Sequence, residues 1–193
     1  MKTVFVDIDS QFDFLYPAGA LYVPGAERIA PHIGVLNHYA AENGIPVIST
    51  VDAHTEDDPE FRVWPHHCVK GATGQHKAEA TLLDRRVVVP NRECKLQVEG
   101  AQQIIVEKQN VDVFTAPNLM RIIELLRPDR FVLYGVVTEI CVLFAARGLL
   151  KLGKPLVVVT DAIETLRAED SACALDEIRA GGGTFARTAD LTT

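Results

Sequence analysis

The sequence predicts an α/β fold in which helices cover both faces of a central, mainly parallel sheet. Short apolar runs rich in β-branched residues recur along the chain at strand length. Segments with apolar residues at helical spacing separate most of these runs, and this alternation favours right-handed crossovers that place helices on both sides of a sheet. The 193 residues are 48% hydrophobic and 23% charged, which suits one core, so we expect a single domain over residues 1–193.

The first strand, helix and strand follow one another near the N-terminus. The run "TVFVDID" at residues 3–9 is suited to a strand buried on both faces. After a loop containing Gly and Pro, a helix is predicted by apolar residues at helical spacing, namely Ile29, Ile33, Leu36 and Ala40. The "ENG" that follows supplies a helix stop, and "PVIST" is the next strand.

The alternation resumes after residue 100. "QIIVEK", "RFVLYGVV", "PLVVVT" and "TFART" are predicted strands. Between them we predict three helices: one marked by Leu119, Ile122, Ile123 and Leu126 that ends before Pro128, one over "TEICVLFAARGLLKLG", and one over "EDSACALDEIRAGGG". The second is apolar almost all round, which predicts deep packing.

The segment from residue 52 to about 99 interrupts the alternation. Only "RRVVVP" within it resembles a strand. Loops of this length inside compact domains are usually functional or disordered, and the Trp, His and apolar residues here argue against disorder. We therefore expect a loop insertion that carries part of a site.

Charge and composition narrow the class of partner. The net charge of -7 and the absence of a Lys/Arg run give no attraction to nucleic acid. The longest apolar runs are far shorter than the roughly 20 residues of a membrane span, and no signal peptide pattern opens the chain, so we expect a cytoplasmic protein. The four cysteines stand singly, which indicates neither a zinc ribbon nor a disulfide framework.

Four predicted strand ends carry reactive side chains, and ligands of parallel sheets bind beyond the carboxyl ends of the strands. These side chains are Asp9, Asp52, Lys108 and Cys141. Cys141 would fall in the first turn of a helix capped by Thr138, where free amides favour a thiolate. Asp9 could exchange protons with the thiol, and Lys108 could keep that carboxylate ionised. Taken singly, each has a structural alternative: a core cysteine, a solvated acid and an edge lysine.

The same end of the sheet offers metal ligands. Asp52 and His54 lie two residues apart, so in extended chain they point to one side. Glu60 and the His66/His67 pair follow closely enough to complete a coordination sphere suited to zinc, iron or manganese. The alternative is a solvated acidic loop with unrelated histidines. Trp64 could stack on a planar ring or serve only as core.

Several motifs together resemble the nicotinamidase branch of the isochorismatase-like cysteine hydrolases over nearly the whole chain. "VDIDSQFDF" is similar to the family's aspartate segment, and "GALYVPGAE" to the glycine-rich loop that follows it. "DAH" and "WPHHCVKGATG" resemble its metal-binding segments, and "GVVTEICV" its nucleophile segment.

This resemblance implies a three-layer α/β/α sandwich and assigns a role to each site residue. The catalytic triad would be Asp9, Lys108 and Cys141, with the amides of Val137 and Cys141 as the oxyanion hole and a cis peptide between Val136 and Val137. One divalent ion, zinc in the first place and iron or manganese as alternatives, would be held by Asp52, His54, Glu60 and His67. The substrate ring would lie against Phe14, Leu21 and Trp64, leaving Glu56, Asp57, Asp58 and His66 without a role.

The function implied is hydrolysis of nicotinamide to nicotinic acid and ammonia through a cysteine thioester, by an enzyme that could be a homo-oligomer. Two departures weaken the choice of substrate: "TEIC" has Glu where nicotinamidases often carry Asp, and "KQNVDVF" is closer to the broader family. The alternatives are a C-N hydrolase of another small amide, ureide or carbamoyl compound, and a catalytically silent binding module.

Overall fold

A computed structural model describes residues 1–193 and contains one seven-stranded sheet. Its strands are β1 (Thr3–Ile8), β2 (Val47–Asp52), β3 (Arg86–Val89), β4 (Gln103–Lys108), β5 (Arg130–Gly135), β6 (Leu156–Ile163) and β7 (Thr184–Ala186). They lie in the order β3-β4-β2-β1-β5-β6-β7, and every neighbouring pair is parallel. The predicted strands are confirmed, and the two earliest occupy the centre with β4 and β5 beside them.

The chain has six helices, the last of which follows the final strand: α1 (Phe12–Leu15), α2 (Ala30–Glu42), α3 (Leu119–Leu126), α4 (Leu143–Lys151), α5 (Ala168–Ala180) and α6 (Thr188–Leu191). The helix predicted from residue 138 differs in its first turn, because Thr138–Val142 forms a π-helical turn before α4 begins. Thr138 does not cap this turn; its hydroxyl donates instead to the carbonyl of Glu164. None of the helices is both long and apolar enough to cross a bilayer.

Alternate residues of β1 face two different cores, as the pleat of a strand requires. Val4, Val6 and Ile8 belong to a core that also contains residues of α3, α4 and α5. Phe5 belongs to the opposite core, which α2 covers. The sheet is therefore the middle of three layers, and the predicted α/β/α architecture is confirmed.

A charged side chain also lies within the sheet, on the α2 side. Asp7 is fully buried, and its carboxylate contacts Lys77 at 2.9 Å and accepts hydrogen bonds from Ser10 and Asn37. Tyr134 donates to Asn37 at 2.6 Å. This network satisfies polar groups that would be costly to bury alone.

The segment between β2 and β4 contains three short 3₁₀ turns, Pro59–Arg62, Thr73–Gln75 and Glu79–Thr81, in addition to β3. The loop after β1 holds it in place. The Gln11 side chain bonds both the amide and the carbonyl of Asp52, and Asp13 accepts the amide of Cys68 at 2.7 Å. These bonds bring two distant parts of the sequence to the carboxyl end of the sheet.

Candidate active site

Asp9 lies immediately beyond β1, at the carboxyl end of the sheet. Its φ of 50° is in the left-handed region, which Asp tolerates better than most residues and which is enriched at functional sites. Thr50 donates a hydrogen bond to one carboxylate oxygen, and Lys108 Nζ lies 2.9 Å from the other. Asp9 and Lys108 are each only 1% exposed, so this ion pair is shielded from water.

Cys141 completes the group from the other side of β1. It lies in the π-helical turn after β5, and its Sγ is 3.8 Å from Lys108 Nζ. The peptide between Val136 and Val137 is cis, as the resemblance implies. The N–H of Val137 donates no backbone hydrogen bond, so it is free to bind an acceptor next to the thiol.

The protonation of this group differs from the expected thiolate. Burial raises the pKa of Cys141 well above its ordinary value, although Lys108 opposes this. Burial also raises the pKa of Asp9, again against the effect of Lys108. Burial alone would lower the pKa of Lys108, but Asp52 and Asp9 raise it well above the usual value. A charged lysine thus faces a half-buried thiol and a carboxyl group of raised proton affinity.

Asp52, His54 and His67 form a compact donor cluster next to this group. All three are buried, and one ligand atom from each lies within 4.8 Å of the others. Glu60, which was also predicted as a ligand, lies alongside, with Oε1 3.9 Å from His67 Nε2. Asp52 connects the two groups, because its Oδ1 bonds Lys108 while its Oδ2 lies 3.9 Å from Nε2 of both histidines.

The cluster fits a divalent cation. Nε2 of His54 is buried without any hydrogen-bond partner, and a metal ion would satisfy it. Burial raises the pKa of Asp52, but Lys108 and His54 together outweigh this effect and the pKa falls to about 2, so the carboxylate is ionised. Burial lowers the pKa of His54, but Asp52 and Asp58 raise it to about 9, which indicates that this cluster favours positive charge. One carboxylate and two imidazoles are also a ligand set that zinc accepts.

Asp58, to which the sequence prediction gave no role, contacts the donor cluster. It is 8% exposed, and its Oδ2 accepts a hydrogen bond from His54 Nδ1 at 3.0 Å. His67 Nδ1 bonds the carbonyl of Pro65 in the same way. Both contacts leave Nε2 of the two rings pointing into the donor cluster. The sequence feature that could have indicated a structural role for Asp58 is the "DDPE" turn, in which its carboxylate also accepts a hydrogen bond from the amide of Glu60.

A pocket with an empty volume of about 380 Å³ opens next to both groups. Nine of its twelve lining residues are hydrophobic, with Cys141 counted among them, and Asp52, Glu60 and His67 supply its polar part. The predicted substrate residues Phe14, Leu21 and Trp64 all line it. Sequence reasoning missed four apolar lining residues, which come from separate loops and turns: Val23, Val111, Ile140 and Leu166.

A three-layer fold with an apolar pocket at the carboxyl ends of parallel strands, next to a buried Asp and Lys and a half-buried Cys, defines a small α/β enzyme. The chain belongs to the isochorismatase domain family, whose sequence model matches residues 3–190. The prediction of a nicotinamidase-like hydrolase agrees with this family and with the solved structures that the chain resembles.

Three solved structures resemble the chain along its whole length. The nicotinamidase PncA from Bacillus subtilis is 26% identical, with a TM-score of 0.84 and coverage of 97% of this chain and 100% of that one. The pyrazinamidase of Pyrococcus horikoshii in complex with zinc is 26% identical, with a TM-score of 0.80 and coverage of 97% and 99%. The N-carbamoylsarcosine amidase from Thermoplasma acidophilum is 26% identical, with a TM-score of 0.79 and full coverage of both chains.

Proposed function

We propose that the chain is a metal-containing nicotinamidase that uses Cys141 as nucleophile. The observation that carries this proposal is that the thiol and the donor cluster line one mainly apolar pocket. Cys141 lines that pocket, and so do Asp52 and His67 of the donor cluster. A flat ring amide would fill the apolar space beside them. Residues 1–193 would act as one domain, with residues 52–99 supplying the ion ligands.

Asp9 would act as the general base and then as the general acid. It would take the proton of the Cys141 thiol, which its raised pKa suits it to do, and the sulfur would attack the amide carbon. The N–H groups of Val137 and Cys141 would hold the oxyanion. When the C–N bond breaks, Asp9 would return its proton to the departing nitrogen, so that ammonia leaves and a thioester remains on Cys141.

The second half of the reaction reuses the same base. Asp9 would take a proton from water, the hydroxide formed would attack the thioester, and the proton would return to the sulfur as the acid leaves. Lys108 would keep Asp9 oriented through the 2.9 Å ion pair and would offset charge on the sulfur. These roles explain why a lysine is buried between the carboxylates and the thiol.

Asp52, His54 and His67, with Glu60 beside them, would hold the divalent ion, and Asp58 would keep His54 in the required tautomer. When bound, the ion would supply an electron-accepting centre that positions the ring nitrogen of the substrate. The zinc complex of the similar pyrazinamidase supports zinc as the first ion to test. Phe14 and Trp64 would contact the faces of the ring.

A second candidate is a C-N hydrolase of a non-aromatic amide or carbamoyl compound. The observation that favours it is the likeness to N-carbamoylsarcosine amidase, which covers both chains completely. The same Asp9, Lys108 and Cys141 chemistry would serve such a substrate. The donor cluster favours the nicotinamidase, since it gives a reason for binding a ring nitrogen.

The decisive experiment measures ammonia release from nicotinamide and from a panel of ureides and carbamoyl amines by the zinc-loaded protein. We expect nicotinamide to have the highest kcat/KM. Cys141→Ala should abolish turnover, whereas Cys173→Ala, at an exposed cysteine, should leave it unchanged. Persistent activity in Cys141→Ala would refute the nucleophile, and a much higher kcat/KM for a carbamoyl compound would select the second candidate.

The ion has its own test. Chelated protein, or the double variant Asp52→Ala/His54→Ala, should lose binding of nicotinamide while its circular dichroism spectrum stays that of a folded α/β protein. Metal analysis of protein purified without chelator should give about one divalent ion per chain. Unchanged nicotinamide affinity in the double variant would contradict the ligand assignment.

A further inference from the structure

The loop that joins β6 to α5, residues 164–167, forms part of the pocket. Its Leu166 lines the same pocket as Cys141. Leu166 and Trp64 also line a surface groove that adjoins the pocket, so the two side chains lie at its mouth. Leu166 is 37% exposed, so packing against its neighbours alone does not hold its side chain in one position.

Glu139 holds this loop with both of its carboxylate oxygens. Oε1 accepts the N–H groups of Leu166 and Arg167, each at 3.0 Å, and Oε2 accepts the hydroxyl of Thr165 at 2.6 Å. Three donors on consecutive residues thus bind one carboxylate. Hydrogen bonds to a charged acceptor are stronger than neutral ones, so this contact should order the loop.

Glu139 also belongs to the turn that carries the nucleophile. It lies two residues before Cys141 in the π-helical turn Thr138–Val142. The neighbouring Thr138 donates both its N–H and its hydroxyl to Glu164 at the start of the same loop. The loop that presents Leu166 is therefore tied to the nucleophile turn at two adjacent positions.

This arrangement accounts for the glutamate in "TEIC". An aspartate at position 139 would be shorter by one carbon–carbon bond, about 1.5 Å. It could not reach three donors that glutamate already meets at 2.6 to 3.0 Å unless the loop moved inward. The side chain length at this position thus sets where Leu166 lies relative to the thiol.

We propose that Glu139 is a positioning residue that fixes Leu166 as a wall of the pocket, so that the site accepts amides on a single, unsubstituted flat ring and excludes larger rings. This proposal deepens the proposed function and rests on it for the identity of the ring. Glu139 does not contact the reacting atoms in this account; it acts through the loop.

Kinetics of Glu139→Asp, Leu166→Ala and the double variant test the size limit. We expect Glu139→Asp to raise KM for nicotinamide about tenfold with kcat changed less than about twofold, since the wall contacts the ring equally in the ground state and the transition state. Discrimination against ring-methylated nicotinamide should fall in both single variants. The double variant should be no worse than Leu166→Ala alone, because both changes remove the same wall.

The matched control is Glu177→Asp, which shortens an exposed glutamate that lines the adjoining groove and bonds Arg147 instead of the loop. It should leave KM, kcat and discrimination unchanged. Three outcomes would each overturn the proposal. They are a double variant whose loss is the product of the two single losses, a loss of kcat in Glu139→Asp as large as its rise in KM, and unchanged discrimination against ring-methylated nicotinamide.

Hydrogen exchange of the Leu166 and Arg167 amides tests, without any substrate, whether Glu139 orders the loop at residues 164–167. We expect exchange about tenfold faster in Glu139→Asp than in the parent protein or in Glu177→Asp, because local opening becomes easier. Equal exchange rates would show that Glu139 does not order this loop. If nicotinamide is not hydrolysed but exchange accelerates as expected, the proposed function fails while the role of Glu139 in fixing the wall is supported.

Discussion

Replacing Lys108 with methionine should destabilise the protein far more than most single substitutions do. Lys108 is 1% exposed and is the cation for two carboxylates, Asp9 and Asp52, whose side chains are 1% and 5% exposed. Methionine keeps much of the volume but leaves both carboxylates without their counterion. Removal of one partner from a buried ion pair costs about 3–5 kcal/mol. For a chain of this size that corresponds to a fall in melting temperature of about 6–20 °C.

The loss in free energy of unfolding caused by Lys108→Met should depend on pH in a definite direction. The pKa of Asp9 is already raised by burial, and Lys108 is the main group that lowers it. Without Lys108 this pKa lies higher still, so the folded variant binds a proton that the unfolded chain releases at ordinary carboxyl pKa. A raised folded pKa stabilises the folded state at low pH, and that contribution is lost as pH rises through it. The deficit of Lys108→Met should therefore shrink as pH falls from 8 to 5.

Urea unfolding of chelated protein at several pH values measures this effect. The control is Lys154→Met, which removes an exposed lysine that lies outside the buried ion pairs. Surface substitutions of this kind usually change stability by less than about 0.5 kcal/mol, so this variant should unfold nearly like the parent. A loss below about 1 kcal/mol in Lys108→Met, or a deficit that is constant from pH 5 to 8, would refute the reasoning.

Two further predictions concern other buried groups. Asp58→Ala should weaken zinc binding about 10- to 100-fold in a competition with a chelating dye, because His54 loses the acceptor for its Nδ1. The control is Asp57→Ala, which changes the exposed neighbouring residue. Equal zinc affinities in the two variants would show that Asp58 does not support His54. Burial, with a smaller effect of Asp7, raises the pKa of Tyr134 well above 10. Above about pH 10 the folded chain therefore keeps a proton that the unfolded chain releases, and the free energy of unfolding should fall as pH rises. Tyr134→Phe should show a shallower fall between pH 9 and 11, at a cost of about 1 kcal/mol at neutral pH from the lost bond to Asn37; identical slopes would contradict this.

The sheet and its helices could be predicted because each element has a local signature. β1 alternates between two apolar cores, and α2 repeats Ile33, Leu36 and Ala40 on one face, so periodicity alone indicates a layered fold. The placement of Asp9, Lys108 and Cys141 together also follows from sequence, since parallel strands end at one edge.

Other features depend on how segments fold back on one another. The "DDPE" turn indicates that Asp58 can accept a nearby amide, but not that its carboxylate also meets the ring of His54. The contact of Glu139 with the loop at 164–167 joins the ends of two strands and has no local pattern. The protonation of Cys141 was predicted in the wrong direction, because a free amide at a helix start can be read from sequence while burial of the sulfur cannot.

The double use of Asp52 limits how this protein can be re-engineered. One oxygen of its carboxylate bonds Lys108, which also contacts Cys141, and the other faces the two histidines of the donor cluster. A substitution chosen only to change ion preference would also alter the charge balance around Asp9, and with it the base strength on which turnover would depend. In the proposed mechanism ion selectivity and reaction rate would therefore share one residue and would have to be optimised together, most safely through the proposed ligand Glu60.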